Sequence, residues 1–491
     1  MIDARPISEY DLPDHALSAL SRLNGRILKG SDEVLVSPQF AKESDESILS
    51  KVEEILAGVH ITEGLRKVEL LNRDKFGPRS QSEPWESRKE SLRAYFNHEL
   101  IPANLEDAFI SGTEDSVYPR TGLRSLHAQT ALKRLHRQSN AGLPYMVRKG
   151  EVMEEILRNW EEDVDWRYPC VLFTRTQEQR KTRNVWGYPA AQTLWEMMYF
   201  APFLGVEKDL PHRRALHGPD ATDLAIDEIL SRQLNAGDKT VAIGVDFSGY
   251  DASVGPDYIM RSFGRISNTF QISERDQLRE MGFQVCSIPI ATPQGVWHGY
   301  HGVPSGSTFT LTVDSDNQWF VAGHPSDCQV QGDDGVYLVG ARDVDQFYQR
   351  FEDAGLTINP GKGWESTTGA TMYLQRYYEK DVYRDVYGRA VGVYPLHRAA
   401  LRLKYLERFT VFDEKDLTGS DYFSLRAIMI LENCKGHPAF VPFVKWVQGI
   451  DAKALRYDPR AIPSFSKTLE SRERAHPNTC LLYTSPSPRD S

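Results

Sequence analysis

Two adjacent carboxylates, Asp333 and Asp334, lie in the tetrapeptide Gly332-Asp333-Asp334-Gly335, between the short strand-like runs 329–331 and 336–339. Like charges held a few ångströms apart repel and raise each other's pKa. A divalent cation removes that cost, and phosphoryl-transfer chemistry uses two such cations about 4 Å apart. The turn acquires this meaning only if another carboxylate reaches it, because Asp-Gly is also a strong, purely structural hairpin signal. Asp246 can be that carboxylate. It ends the apolar run 239–246, which reads as a buried strand, and a carboxylate at the end of a central strand can face a neighbouring hairpin. Helix N-capping is the competing role for Asp246, but it leaves unexplained why the strand is so apolar up to that residue. Asp251 follows a turn in Asp246-Phe247-Ser248-Gly249-Tyr250-Asp251 and can stand beside the site without binding metal.

Between these carboxylates lies Ser305-Gly306-Ser307-Thr308-Phe309-Thr310, a glycine loop opening a helix on which positions 310, 314 and 317 share a face. Small hydroxyls and an amide there could read a ribose hydroxyl or a backbone. Ser and Thr acting as caps is the competing reading. The net charge of −10 speaks against a polyanion partner, but the distribution speaks for one. Residues 120–150 hold seven Lys or Arg and no Asp or Glu. A second cluster is Arg175, Arg180, Lys181 and Arg183, and a third is Arg398, Arg402, Lys404 and Arg408. These are either the basic lining of a channel in an acidic shell or three solvated helix faces.

The elements that must position these groups can be read around them. Segments 45–56, 257–269, 307–321 and 344–354 read as helices, the second capped near Gly255-Pro256 and the last ended by Gly355. Residues 390–460 read as mainly helical, and residues 1–100 carry no recognisable chemistry. A chain of 491 residues implies two or three coupled subdomains. With 40% hydrophobic and 11% aromatic residues it has the composition of a folded, soluble protein. No apolar run is long enough to span a membrane, no secretory signal is visible, and five cysteines without paired spacing argue for a reducing compartment and against zinc. The tail 480–491 reads as a translated sequencing adapter, so the natural C-terminus is expected to be missing.

In chain order these features resemble the palm of viral RNA-dependent RNA polymerases. Asp246 with Asp251 is similar to motif A, Ser305 to Asn317 to motif B, and Gly332-Asp333-Asp334 (the GDD motif) to motif C. Lys362, in Asn359-Pro360-Gly361-Lys362, resembles motif D, and Tyr373-Leu374-Gln375-Arg376 motif E. Arg175 and Lys181-Thr182-Arg183-Asn184-Val185-Trp186-Gly187-Tyr188-Pro189 resemble motif F, and Ser139-Asn140-Ala141-Gly142-Leu143-Pro144 motif G. The wording of motifs F and B resembles the partitivirus and picobirnavirus group of double-stranded RNA viruses. The resemblance covers roughly residues 120–410. Asp314 departs from picornavirus-type enzymes, which have Asn there, and stands near enough to Asp251 that one of the pair is expected to be protonated or paired with a base.

The resemblance implies an α+β, right-hand polymerase with fingers, palm and thumb, an RRM-like antiparallel palm sheet packed on helices, and closure by N-terminal fingertips. It places an N-terminal extension bridging fingers and thumb at 1–100, fingers at 101–240 and 264–300, palm at 241–263 and 301–385, and thumb at 386–479. It implies template-directed addition of NTPs to an RNA 3′ end. Two Mg²⁺, for which Mn²⁺ can substitute, would be held by Asp246, Asp333 and Asp334, with Lys362 as the acid for pyrophosphate. Arg175, Lys181, Arg183, Asp251, Ser305, Gly306, Thr310, Asp314 and Asn317 would bind the nucleotide. Ser139, Gly142, Pro144 and Arg376 would bind RNA. The implied partners are RNA template and product, NTPs and a viral capsid protein, with no membrane, in the virion interior or host cytoplasm. A reverse transcriptase shares the palm chemistry but carries a bulky gate where this chain has Asp251. A catalytically dead RNA-binding or capsid-scaffold protein would have no need of both metal carboxylates and the basic entry loop.

Overall fold

A computed structural model describes residues 2–98, 103–164, 168–359, 363–408 and 417–466. Lys362 and the tail 480–491 lie outside the described residues. The strands in chain order are β1 (Asp3–Arg5), β2 (Cys170–Thr176), β3 (Thr182–Gly187), β4 (Thr240–Val245), β5 (Ile290–Thr292), β6 (Gly295–His298), β7 (Cys328–Gln331), β8 (Asp334–Gly340), β9 (Trp364–Ser366), β10 (Ala370–Tyr373) and β11 (Arg376–Glu379). The chain mixes these with helices throughout, as an α+β reading requires.

The apolar run ending at Asp246 forms β4, at the interior of a four-stranded antiparallel sheet ordered β7-β8-β4-β9. Both faces of β4 are covered: Ile243 and Val245 join the main core, while Ala242 packs with Ile226, Ile229 and Leu230, so Ala242 to Val245 are all buried. The helices Pro219–Ala236 and Val344–Asp353 pack on this sheet. The largest core joins it to the helices Ala190–Asp209, Pro256–Ser267 and Thr310–Val321. The helices expected at 45–56, 257–269 and 344–354 are observed at Asp45–Ala57, Pro256–Ser267 and Val344–Asp353. The one expected from 307 begins only at Thr310, for a reason given below.

A second sheet, ordered β1-β6-β5-β2-β3, carries the Arg175 to Arg183 segment on its β2–β3 hairpin. Its far edge is β1, so the first residues of the chain pair with residues 296–298. The same N-terminal region also reaches the C-terminal helices. Ser37 N–H donates to Lys404 O at 2.7 Å and Leu406 N–H to Leu35 O at 3.0 Å. A separate core packs Ile48, Val52 and Leu65 against Leu396, Leu403 and Phe443. No helix among the described residues is long and apolar enough to cross a membrane.

Candidate active site

The Asp-Asp turn is tighter than the sequence suggests. Gln331 and Asp334 are the last ladder pair of β7 and β8, so the loop proper is only Gly332-Asp333. A two-residue hairpin loop needs a positive φ at its first position, and Gly332 has φ of 68°. Asp334 therefore sits on the first position of β8. The last pair between β4 and β8 is Val245 opposite Gly335, so one further step brings Asp246 level with Asp334. Residues so opposed have Cα atoms about 4.5–5.5 Å apart. The chain beyond β4 is held in turn by 357–359: Asn359 N–H donates to Asp246 O at 2.7 Å and Ser248 N–H to Thr357 O at 2.9 Å.

Asp333 is exposed and Asp334 half-buried, yet the surrounding protein still strips water from both carboxylates. Desolvation there, with repulsion from Asp333 and Asp246, pushes Asp334 well above the usual carboxylate range. Desolvation raises Asp333 too, opposed first by Arg183 and more weakly by Lys181, while Asp246 adds to the rise. Arg183 sits on β3 with its Nε donating to Gln177 Oε1 at 3.1 Å. Arg398, from the third basic cluster, also favours the charged form of Asp334. The sequence flagged Arg398 only as one of a cluster.

The Ser305 loop is built against β3. Ser305 Oγ accepts the Trp186 N–H at 3.1 Å, and a Cβ on Gly306 would lie 1.9 Å from Trp186 O. Only glycine fits that approach. Buried Glu196 accepts from Ser307 Oγ at 3.1 Å and from Thr308 N–H at 2.5 Å. This contact fixes the loop before the helix, which explains the helix's late start. Thr310 Oγ1 is engaged with Pro304 O and Ser307 O at 2.9 and 2.8 Å. The hydroxyls of Ser305 and Thr310 thus shape the loop itself.

Positions 310, 314 and 317 do not share one task. Asn317 is fully buried, donating to Val313 O at 3.0 Å and accepting from Arg265 Nη2 at 3.2 Å. It belongs to a buried cluster in which Asp316 Oδ2 receives Arg265 Nε at 2.8 Å and Ser262 Oγ at 2.6 Å, and Oδ1 receives Tyr118 OH at 2.5 Å. Asp314 instead lies near Tyr95, as does Asp251. Burial pushes the Tyr95 hydroxyl far up, with Asp251 and Asp314 adding to the rise and Arg183 opposing it. Tyr250 is raised by burial and then by Asp314, Asp333 and Asp251, and its hydroxyl donates to Asp314 O at 3.0 Å. Tyr95 therefore borders the site, although the first hundred residues gave no sign of chemistry.

Three residues expected to contact nucleotide or RNA also make contacts within the protein. Arg175 is buried with Nε donating to Glu407 Oε1 at 3.0 Å, so it ties β2 to the segment after the Leu396–Lys404 helix. Arg376 is buried, with Nη2 donating to Asn433 Oδ1 at 3.1 Å. Ser139 Oγ donates to His136 O at 2.9 Å and accepts from Lys149 Nζ at 3.1 Å. Burial lowers that lysine's pKa to about 8. Gly142, with φ of 66°, lets the loop ending at Pro144 approach Tyr188 O, which a Cβ would meet at 2.5 Å.

Asp246, Asp333 and Asp334 offer only carboxylate oxygens, the donor type a hard divalent cation takes. Three carboxylates draw together, two of them raised by burial and mutual repulsion, with Arg183, Lys181, Arg398 and a backbone hydrogen bond to Asp333 opposing the rise. Among the described residues no three His, Cys, Asp or Glu side chains are grouped so as to hold a metal ion by themselves. Mg²⁺ commonly takes such open sites, using one or two carboxylates and completing its shell with water and substrate phosphates.

Residues 116–391 match the family model described as viral RNA-dependent RNA polymerase. The crystal structure of the RNA-dependent RNA polymerase of a human picobirnavirus superposes with a TM-score of 0.75 at 23% identity, covering 95% of this chain and 92% of that one. Its insertion-loop deletion mutant gives a TM-score of 0.78 at 24% identity, covering 95% and 97%. No curated protein sequence matches.

Proposed function

The chain belongs to the viral RNA-dependent RNA polymerase family, and on that premise we propose that Asp246, Asp333 and Asp334 form its two-metal centre for adding NTPs to an RNA 3′ end on an RNA template. The observation that carries this is the ladder register, which brings the end of β4 level with the turn. When bound, Mg²⁺ (or Mn²⁺) would lower the pKa of the attacking 3′ hydroxyl and neutralise the charge on the leaving pyrophosphate. The chain's own residues do the rest. Arg183 and Lys181, already close enough to Asp333 to stabilise its charge, would receive the triphosphate. Asp251, with Asp314 and Tyr95 beside it, would face the ribose. Gly306 would let the Ser305 loop close on β3 beneath the base. Lys362 is the proposed proton donor to pyrophosphate. The 139–144 loop would guide the template through its backbone, since the Ser139 hydroxyl is engaged with Lys149.

The same reading gives a right hand in which the sheet β7-β8-β4-β9 is the palm and the β2–β3 hairpin belongs to the fingers. The helices after residue 386 form the thumb, and the N-terminal region links the two. Work in the virion interior or host cytoplasm with a capsid protein as partner follows from this reading as well. The test is primer extension on an RNA template. Synthesis should require Mg²⁺, stop with a chelator, and disappear in Asp333→Asn while RNA binding persists. Normal synthesis by that variant would sink the assignment. Preferential use of dNTPs by the wild type would favour a reverse transcriptase.

A further inference from the structure

The Gly332-Asp333 loop is gripped from behind by groups that bear no catalytic carboxylate. Ser315 Oγ accepts the Gly332 N–H at 2.7 Å, and Gln318 Nε2 donates to Gly332 O at 3.0 Å. Both polar groups of Gly332 are thus held by side chains of the Thr310–Val321 helix. Each holder is itself fixed. Gln318 Oε1 accepts from Tyr337 OH at 2.8 Å, and Ser315 Oγ donates to Leu311 O at 2.6 Å.

Behind Ser315 stands Arg213, 2% exposed, in the short helical segment Pro211–His217. Its Nη1 donates to Ser315 Oγ and to Val330 O on β7, the latter at 2.7 Å. Its Nη2 donates to Glu207 Oε1 at 2.8 Å, and Glu207 Oε2 accepts from Thr312 Oγ1 at 3.1 Å. One guanidinium therefore joins the strand before the turn, the helix beside it and the end of the Ala190–Asp209 helix. A buried ion pair is often no more stabilising than apolar residues of equal volume, and this one spans three elements through directed hydrogen bonds that apolar residues could not make. The turn needs it, because Asp333, Asp334 and Asp246 repel one another. The helix that grips the turn also carries Asp314, so the turn and the ribose-facing side are set by one rigid element.

We propose that Arg213, acting through Ser315 and together with Gln318, is a positioning residue that holds the Gly332-Asp333 turn where nucleotidyl transfer requires it. The proposal rests on the polymerase reading and adds to it residues that touch neither nucleotide nor metal.

Ser315→Ala removes the acceptor at a site where little volume changes. Arg213→Lys keeps a charge opposite Glu207 but cannot span Ser315 and Val330 together. Four readings are taken: melting temperature, hydrogen exchange of the 328–340 hairpin, Mn²⁺ binding to the free protein by electron paramagnetic resonance, and single-nucleotide incorporation by stalled elongation complexes. Both variants should melt near the wild type and exchange faster at the hairpin tip. Both should bind Mn²⁺ more weakly and incorporate more slowly at saturating NTP, each by about 10- to 100-fold, with KM for NTP unchanged. Wild-type values in Ser315→Ala overturn the proposal, and wild-type values in Arg213→Lys remove Arg213 from it. A rate loss that vanishes once corrected for the fraction of active protein also overturns it. Failure of the wild type to make RNA with Mg²⁺ would instead refute the polymerase reading itself.

Discussion

Glu69→Gln should weaken the joint between the N-terminal region and the helix that carries Arg398. Glu69 lies on the helix Glu63–Arg73 and is 2% exposed. Its carboxylate accepts Leu396 N–H at 2.7 Å, His397 N–H at 3.1 Å and His397 Nδ1 at 2.7 Å, and His437 Nε2 lies 3.2 Å away. Burial by itself would raise this group. The hydrogen bonds and charges of the two imidazoles outweigh it and bring the pKa from 4.5 to about 2. At 1.36 kcal/mol per unit, the charged form is favoured by about 3 kcal/mol in the folded state. A folded-state pKa below the unfolded one gives stability that is complete above about pH 4.5 and is lost as pH falls from there through about 2. Glutamine matches the shape of the protonated acid but never carries the charge. In urea unfolding, Glu69→Gln should therefore be less stable than wild type by about 3 kcal/mol near neutral pH. The gap should narrow steadily once the pH drops below about 4.5. No gap at neutral pH, or a gap of constant size across the acid range, would refute the argument.

Gly306→Ala puts a methyl group 1.9 Å from Trp186 O, so the Ser305 loop must lift from β3. Incorporation should fall steeply while RNA binding, measured by filter retention, stays near wild type. Asp316→Asn breaks a pair with Arg265 in which both side chains are 1% exposed, at a cost of about 3–5 kcal/mol. The variant should melt far below the wild type or fail to accumulate, and an unchanged melting curve would contradict the structural role given to Asp316. On the proposed role of Asp251 in holding the ribose, Asp251→Ala removes a charged hydrogen bond worth about 1.5–3 kcal/mol. Competition between ribo- and deoxyribonucleotides should show discrimination relaxed by roughly 10- to 100-fold, and unchanged discrimination would take Asp251 out of sugar selection.

The sequence yields what is local, and partnership across the chain decides the rest. β4, the two strands of the Asp-Asp hairpin and three of the four expected helices follow from short-range pattern and capping, and they stand within a few residues of expectation. The exception shows the limit: nothing near 307 announces that Glu196 will seize the Thr308 N–H and delay the helix. Asp314 and Asp316 make the same point more sharply. They are the same residue type two positions apart on one helix, yet Asp316 is sealed into a structural pair with Arg265 while Asp314 stands with Asp251 and Tyr95. Helical periodicity turns them to different faces, but it cannot say which face is structural, because Arg265 and Tyr118 arrive from distant segments. Arg175 and Arg183 diverge for the same reason. Both lie on one hairpin and both read as nucleotide contacts, but Glu407 draws Arg175 into the protein and leaves Arg183 within reach of Asp333. A basic or acidic motif in a sequence fixes only the charge on offer, and its role goes to whichever buried counter-charge the fold delivers first. The charged residues that the fold gathers around the Asp-Asp turn are therefore the ones to test for catalysis.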